Sequence, residues 1–255
     1  MLIELIGCTS AGKSTLAKKI VQDCHERGIG ISMGDDHVLR LLRMNRVENR
    51  VLRTLLLDLV AYTGCLIGCW KYRQLYAYIT RTILKLPRNV PFFQRLNIAR
   101  NAFKKIGISE LIRRTVRDAQ IVMMDEGAVH TVHYLFVHVS IEPRPDDLLA
   151  FLELVPLPDV AVYLQQDETA LIQRVRRRGH GRIRNATHSK VERFVQHAVY
   201  TFEYLVKHPR LRERLLVVNS QKTVVVPQEH LTAPAAIVLD ILDRVLRFQQ
   251  QGLEN

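Results

Sequence analysis

Cysteine is scarce in this sequence. Its four cysteines, Cys8, Cys24, Cys65 and Cys69, show no paired spacing that would hold a metal. Cys65-x-x-x-Cys69 lies in an apolar, helical-looking run where packing is the expected role of a thiol, and reduced thiols fit a cytoplasmic location. Long apolar runs are also missing. The longest, Leu55 to Trp70, is interrupted by Asp58 and is short for a membrane span, so a buried or partner-facing helix is expected there. Met1 to Ile6 carry no basic stretch and lead directly into a glycine loop, which argues against a cleaved signal peptide. No internal repeat is evident. Acidic residues are the last deficit: 25 Asp and Glu face 37 Lys and Arg, a net charge of +12. Such a balance implies polyanionic company, whether nucleotide, nucleic acid or an anionic membrane surface. The basic excess forms no tail but spreads over Arg40 to Arg117 and Arg174 to Arg214, where most side chains read as solvated helix faces.

What the sequence does contain is an alternation of short apolar runs and helical stretches. Leu2 to Ile6 is apolar and ends at Gly7, and Ser14 to Arg27 follows with helical periodicity up to Gly28. Residues 29–33 give a second strand closed by Gly34-Asp35-Asp36. Residues 38–118 read as several helices broken near Pro87 and Pro91. Ile121 to Met124, Val160 to Leu164 and Leu215 to Val218 are uninterrupted apolar runs, as expected of central parallel strands covered on both faces. The fold class predicted is therefore α/β, a doubly wound parallel sheet with a helical insertion, and its ligands should gather at the carboxyl ends of the strands. One domain over 1–255 is expected, with the insert at 38–118. An amphipathic helix is predicted from Ala235 to Phe248, before a frayed end.

The segment Gly7-Cys8-Thr9-Ser10-Ala11-Gly12-Lys13-Ser14-Thr15 carries the strongest chemical signal. In Gly-x-x-x-x-Gly-Lys-Ser the glycines let backbone N–H groups face phosphates, the lysine neutralises the β and γ oxygens, and the serine hydroxyl ligates Mg²⁺. Here the pattern follows an apolar strand and opens a helix, the context it requires. Asp125-Glu126 closes the third strand where a carboxylate would hold Mg²⁺ directly or through water, and either acid suits that place. Gly34-Asp35-Asp36-His37 closes the second strand on the same crevice. A carboxylate there would accept a proton from an attacking hydroxyl, and helix capping by Asp36 is the competing role. Arg174 to Arg184 clusters guanidinium groups with Gly179 and Gly181, a composition suited to a lid over a nucleotide, with Arg174 and Arg178 as the candidate contacts. A nucleic-acid patch is the alternative for this run, disfavoured because no stacking aromatic interleaves it. Asn219 to Lys222 reads as a turn at the end of the last strand.

With these motifs in place, the chain resembles the nucleoside and nucleotide kinase group of P-loop proteins, thymidylate-kinase-like enzymes and related small-molecule kinases. The resemblance rests on the loop at 7–15, on Asp125-Glu126-Gly127, and on Val162-Tyr163-Leu164 followed by Arg174 to Arg178. It implies a sheet of P-loop kinase type with an arginine-rich lid at 174–188. It also implies ATP and Mg²⁺ as cofactors, with Ser14 and Asp125 at the metal and Glu126 near the acceptor. Thymidylate kinases usually carry an Arg-Glu-Pro-Gly type signature after the second strand. This chain has Gly34-Asp35-Asp36 with Arg40 instead, closer to kinases of hydroxyl acceptors. Glu126 stands where nucleotide kinases commonly place an arginine. The expectation is an ATP-dependent kinase of a small-molecule hydroxyl. In it Lys13 and the loop amides hold the phosphates, Asp35 or Asp36 is the base, Arg178 lies in the lid, and Arg40 contacts the acceptor. Two alternatives remain: a nucleoside monophosphate kinase, and a P-loop regulator or nucleic-acid-associated NTPase. Oligomeric state stays open, a homodimer being one reading.

Overall fold

The structure, a computed structural model, describes residues 1–44, 47, 49–88, 90–117, 120–179, 183, 187–219, 224–225, 238 and 240–243. Six strands appear in chain order: β1 (Leu2–Ile6), β2 (Ile31–Met33), β3 (Ile121–Met124), β4 (Val160–Leu164), β5 (Leu215–Val218) and β6 (Val224–Val225). They form one sheet in the order β2-β3-β1-β4-β5-β6. The first five are parallel, and β6 pairs antiparallel with β5. Residues of β1, β3 and β4 are buried throughout, which explains sequences that are apolar except at Glu4 of β1: helices cover both faces.

Successive side chains alternate between those faces. Ile3, Leu5, Val160 and Val162 enter one core with Leu16 and Ile20 of α1 (Lys13–Glu26). The helices that complete this layer are α8 (Glu168–Arg178) and α9 (His188–Val206), through Val175 and Phe194. On the other face Ile6, Ala161 and Tyr163 meet α4 (Arg73–Leu84), α5 (Phe92–Thr115), α6 (Thr131–Phe136) and α7 (Pro145–Leu154). Leu2, Val122 and Met124 pack there against α2 (Gly34–Leu41) and α3 (Arg50–Gly68). A short α10 (Pro209–Arg212) precedes β5.

The helical insertion begins earlier than the sequence suggested. Its first helix starts at Gly34 behind an extended Met33, so Asp35 and Asp36 sit inside the first turn and neither caps it. Carboxylates at that position complement the positive end of the helix dipole. The breaks at Pro87 and Pro91 fall between α4 and α5, as read. Within the insertion α3 lies close on α5: a Cβ on Gly64 would meet the backbone of Gly107. Asp58 turns inward there, to Lys104 at 2.9 Å and to Arg100. Among described residues α3 alone is long and apolar enough to cross a membrane by length and composition, and 28% of its apolar window is buried. Its other face exposes Leu59 at 64% and Leu66 at 74%.

The arginines at 174–178 are the last turns of α8, and Ile183 of the expected lid packs into the core beside Val175. Residues 180–182 and 184–186 of that segment, including Arg182 and Arg184, lie outside the described residues. Of the expected C-terminal helix, residues 238 and 240–243 are helical; the others, and Ser220 to Lys222, also lie outside them.

Candidate active site

The turn out of β1 demands glycine. Gly7 has φ 135°, and a Cβ there would lie 2.9 Å from the Leu164 carbonyl oxygen at the end of β4. This close approach lets the loop 7–12 fold back and deliver Lys13 and Ser14 as the first residues of α1. Lys13 Nζ donates to the Gly7 and Cys8 carbonyls, each at 3.0 Å, so the ammonium arches over the loop. Burial lowers its pKa, and Glu126 is the strongest opposing influence. No side chain caps α1, so its leading N–H groups and positive dipole end are left for an anion. Ser10 holds φ 65°, strained for a residue with a Cβ, and its Oγ is buried without a partner among the described residues. Thr9 Oγ1 lies 3.2 Å from His133 Nε2 of α6. Burial pushes the Cys8 thiol up to about 12, which removes it as a nucleophile. Thr9, Ser10, Gly12, Lys13, Ser14 and Thr15 line a cavity of about 320 Å³ that Glu126, Arg178 and Gly179 complete.

Beside this loop stands the end of β3. Ser14 Oγ donates to Asp125 Oδ2 at 3.0 Å, which sets the two candidate Mg²⁺ ligands side by side. Two hard oxygens fit that ion, which uses one or two protein groups and takes the rest of its octahedron from phosphates and water. Among described residues no group of three or more His, Cys, Asp or Glu could hold a metal without such help.

The carboxylates at 125–126 are set by a residue that sequence reasoning passed over. Glu4 is a fully buried acid in the middle of β1, accepting N–H groups from Gly127 (3.1 Å), Val129 (3.2 Å) and His130 (2.7 Å). Burial raises its carboxyl to about 7, with those three donors and Arg113 acting against the rise. A Cβ on Gly127 would lie 2.5 Å from Glu4 Cδ, so the glycine after Asp125-Glu126 is there for this carboxylate. The signal was present in the sequence: a lone charge within an apolar central strand must be satisfied by something. Glu126 accepts from Tyr134 OH at 2.7 Å and lies 3.3 Å from His130 Nε2 and 3.8 Å from Lys105 Nζ. Burial alone would raise it, but His130, Lys105 and Lys13 hold it well below the usual carboxylate range. Burial pushes His130 down to about 4, so a neutral ring donates Nε2–H to Glu126.

A second cavity, of about 190 Å³, opens next to the first. Asp35, Asp36, Asp125 and Glu126 line it together with Arg53 of α3 and Lys105 of α5. Both cations come from the insertion, where helical periodicity gave no means to choose them among many basic residues. Each is already matched: Arg53 Nη2 lies 2.5 Å from Asp36 Oδ1, and Lys105 faces Glu126. Asp35 is exposed and makes no side-chain hydrogen bond or ion pair among the described residues.

Two expected contacts fall elsewhere. Arg40 is at the far end of α2 and lines a different cavity with His25, Gly30 and Arg117, near the amino ends of β2 and β3. The helix runs back along the strand it follows and carries Arg40 away from the cavity lined by Asp35, Asp36, Asp125 and Glu126. Arg174 is exposed and donates to Gln166 Oε1 at 3.3 Å, four residues before the arginine that reaches the loop cavity.

No protein-family model matches the chain, and neither does any curated protein sequence. Among solved structures the chain is similar to a deoxyadenosine kinase from M. mycoides with products dCMP and a flexible dCDP bound. Identity is 12%, the TM-score is 0.42, and 96% of this chain and 100% of that chain are covered. Structures of deoxyadenosine kinase from M. mycoides with dCTP and with dATP give 14% identity each, with TM-scores of 0.39 and 0.41. They cover 96% and 95% of this chain and 100% of theirs.

Proposed function

We propose that this protein is an ATP-dependent kinase that transfers the γ-phosphoryl group to a hydroxyl of a small neutral molecule such as a nucleoside or sugar. The observation that carries the reading is the hydrogen bond from Ser14 to Asp125 at the mouth of the phosphate loop. Two segments 111 residues apart there offer a metal–phosphate pair of ligands beside Lys13. Lys13 and the leading amides of α1 would hold the donor phosphates, and Arg178 would add charge from the far side of the same cavity. Mg²⁺ held by Ser14 and Asp125 would offset charge on the phosphate oxygens.

The adjoining cavity supports a hydroxyl acceptor. Four carboxylates and two cations line it; with Asp125 assigned to Mg²⁺, the other three carboxylates still outnumber Arg53 and Lys105, which leaves no surplus positive charge for an ionised phosphate and suits a neutral polyol. Asp36 is engaged by Arg53, so Asp35 is the better base for the acceptor proton. The nucleoside monophosphate kinase reading would need Arg53 or Lys105 free, and both are matched.

The test is to incubate the protein with ATP·Mg²⁺ and pools of nucleosides, nucleotides, sugars and aminoglycosides, and to search for a mass gain of one phosphoryl group. A phosphorylated alcohol is expected, and Lys13→Ala should lose the product while keeping the wild-type circular dichroism spectrum. Undiminished transfer by a folded Lys13→Ala variant removes the proposal.

A further inference from the structure

The cavity that holds Arg40 has a character of its own. It measures about 650 Å³ and lies at the amino ends of β2 and β3, whereas the phosphate loop follows the carboxyl end of β1. Its size falls in the range of small-molecule sites, roughly 300–1,000 Å³. Four residues able to carry positive charge line it, His25, His37, Arg40 and Arg117, and no described lining residue is acidic.

The two arginines are exposed, and their guanidinium groups face the cavity without a described protein partner. Arg27, Arg53, Arg100 and Arg114 are each matched to a carboxylate. Arg40 and Arg117 make no side-chain hydrogen bond or ion pair among the described residues. Guanidinium groups suit phosphate through paired, coplanar N–H donors.

The rest of the wall is fixed. Thr115 Oγ1 gives its proton to the Leu111 carbonyl at 2.7 Å, so His37 Nε2, 3.2 Å away, must be the donor in that pair. His25 Nε2 donates to the Ile31 carbonyl at 3.0 Å on the open edge of the sheet. Ser32 and His37, both more than nine-tenths buried, line the floor. Burial holds His37 below its ordinary value, and Arg40 and the chain's amino group push the same way. The mutual repulsion of these groups is one that a bound anion relieves. Leu41 and Ile121 add apolar surface to the wall, which an inorganic anion would leave unused.

We infer that this cavity is a second binding site, separate from the phosphate loop, for an organic phosphate: one phosphoryl group gripped by Arg40 and Arg117 and a small carbon skeleton seated against Leu41 and Ile121. The site does not depend on the kinase reading. It also stands at the far ends of the two helices that build the candidate active site. α1 begins with Lys13 and Ser14 and brings His25 here, while α2 begins beside Asp35 and Asp36 and brings Arg40.

The test uses the full chain carrying Lys13→Ala, which weakens anion binding at the loop, and isothermal titration with AMP, adenosine and inorganic pyrophosphate. One AMP should bind, adenosine should not, and pyrophosphate should bind more weakly than AMP. Adding Arg40→Glu and Arg117→Glu should weaken AMP at least tenfold. Because those variants can unfold, arginine labelling of the unsubstituted protein by phenylglyoxal provides the second measurement: AMP should protect Arg40 and Arg117 together. Unchanged AMP affinity in the folded double variant, or equal labelling of both arginines with and without AMP, overturns the site. Pyrophosphate binding as tightly as AMP overturns its assignment to an organic phosphate.

Discussion

Replacing Gly127 by alanine should break the active site from a position that touches no substrate. The new methyl would lie 2.5 Å from Glu4 Cδ and 2.6 Å from its Oε2, closer than a Cβ can be. The φ of Gly127 is not positive, so the backbone accepts alanine and the whole effect is this collision. Either the carboxylate swings away or the segment after β3 lifts, and both give up N–H donation from Gly127, Val129 and His130. A buried donor left without its acceptor costs about 1–3 kcal/mol, so losing two of the three costs about 2–6 kcal/mol. Glu4→Ala orphans the same donors and should cost about 3 kcal/mol or more. In that background, however, Gly127→Ala meets no carboxylate and should cost under about 1 kcal/mol. The double-mutant cycle should therefore show a coupling of at least about 1 kcal/mol. Urea unfolding followed by far-UV circular dichroism is the appropriate assay, since the single tryptophan, Trp70, is 82% exposed and reports little of the core. Phosphoryl transfer by Gly127→Ala should fall with stability, because Asp125 and Glu126 hang from the same segment. Additivity within about 0.5 kcal/mol would refute the claim that Glu4 holds this segment in place.

Three further outcomes follow from the same structure. Glu4 has a folded-state pKa near 7, above the ordinary 4.5, so the folded protein holds that proton more tightly than the unfolded chain. Its contribution is fully present below pH 4.5 and is lost as pH rises to 7, a decline of about 3 kcal/mol at roughly 1.4 kcal/mol per unit that Glu4→Gln should flatten in urea titrations. Asp58 behaves in the opposite sense. Burial would raise its carboxyl, but Lys104 and Arg100 bring it below 3.8 on balance, so its contribution is present above pH 3.8 and is lost as pH falls below that. Asp58→Asn should cost about 1–3 kcal/mol at pH 7, discounted because Arg100 is partly exposed, and the gap to wild type should close in acid. Finally, Asp35→Asn should lower kcat more than it raises KM for ATP. Asp36→Asn should chiefly free Arg53 and tighten inhibition by phosphorylated acceptors, and equal kinetic effects of the two variants would count against the division of roles.

How much of this was legible in the sequence follows from the range of the forces involved. β1, β3, β4 and β5 were readable to the residue because strands covered on both faces are apolar almost throughout, Glu4 of β1 apart, and short runs bounded by turn residues suit strands better than helices. The phosphate loop was readable because its backbone demands are local: Gly7 turns against Leu164, and Gly12 opens α1. The start of α2 was misplaced because Gly34 and Asp35 look like a turn. What makes them helical is packing of Gly34 against Met124 and Ile112, residues far along the chain. Arg40 falls in another cavity for a related reason: its distance from Asp36 in sequence is short, but four helical residues carry it about 6 Å along the axis of α2, back toward the amino end of β2. Arg53 and Lys105 could not be singled out, since their role is set by where α3 and α5 cross and not by their neighbours in sequence. Glu4 is the exception that sharpens the rule. Its burial was readable from β1, and a buried charge requires donors. Which segment supplies them was set by the fold: the backbone of Gly127, Val129 and His130 closes on the carboxylate, and at Gly127 it comes so near that a Cβ would collide.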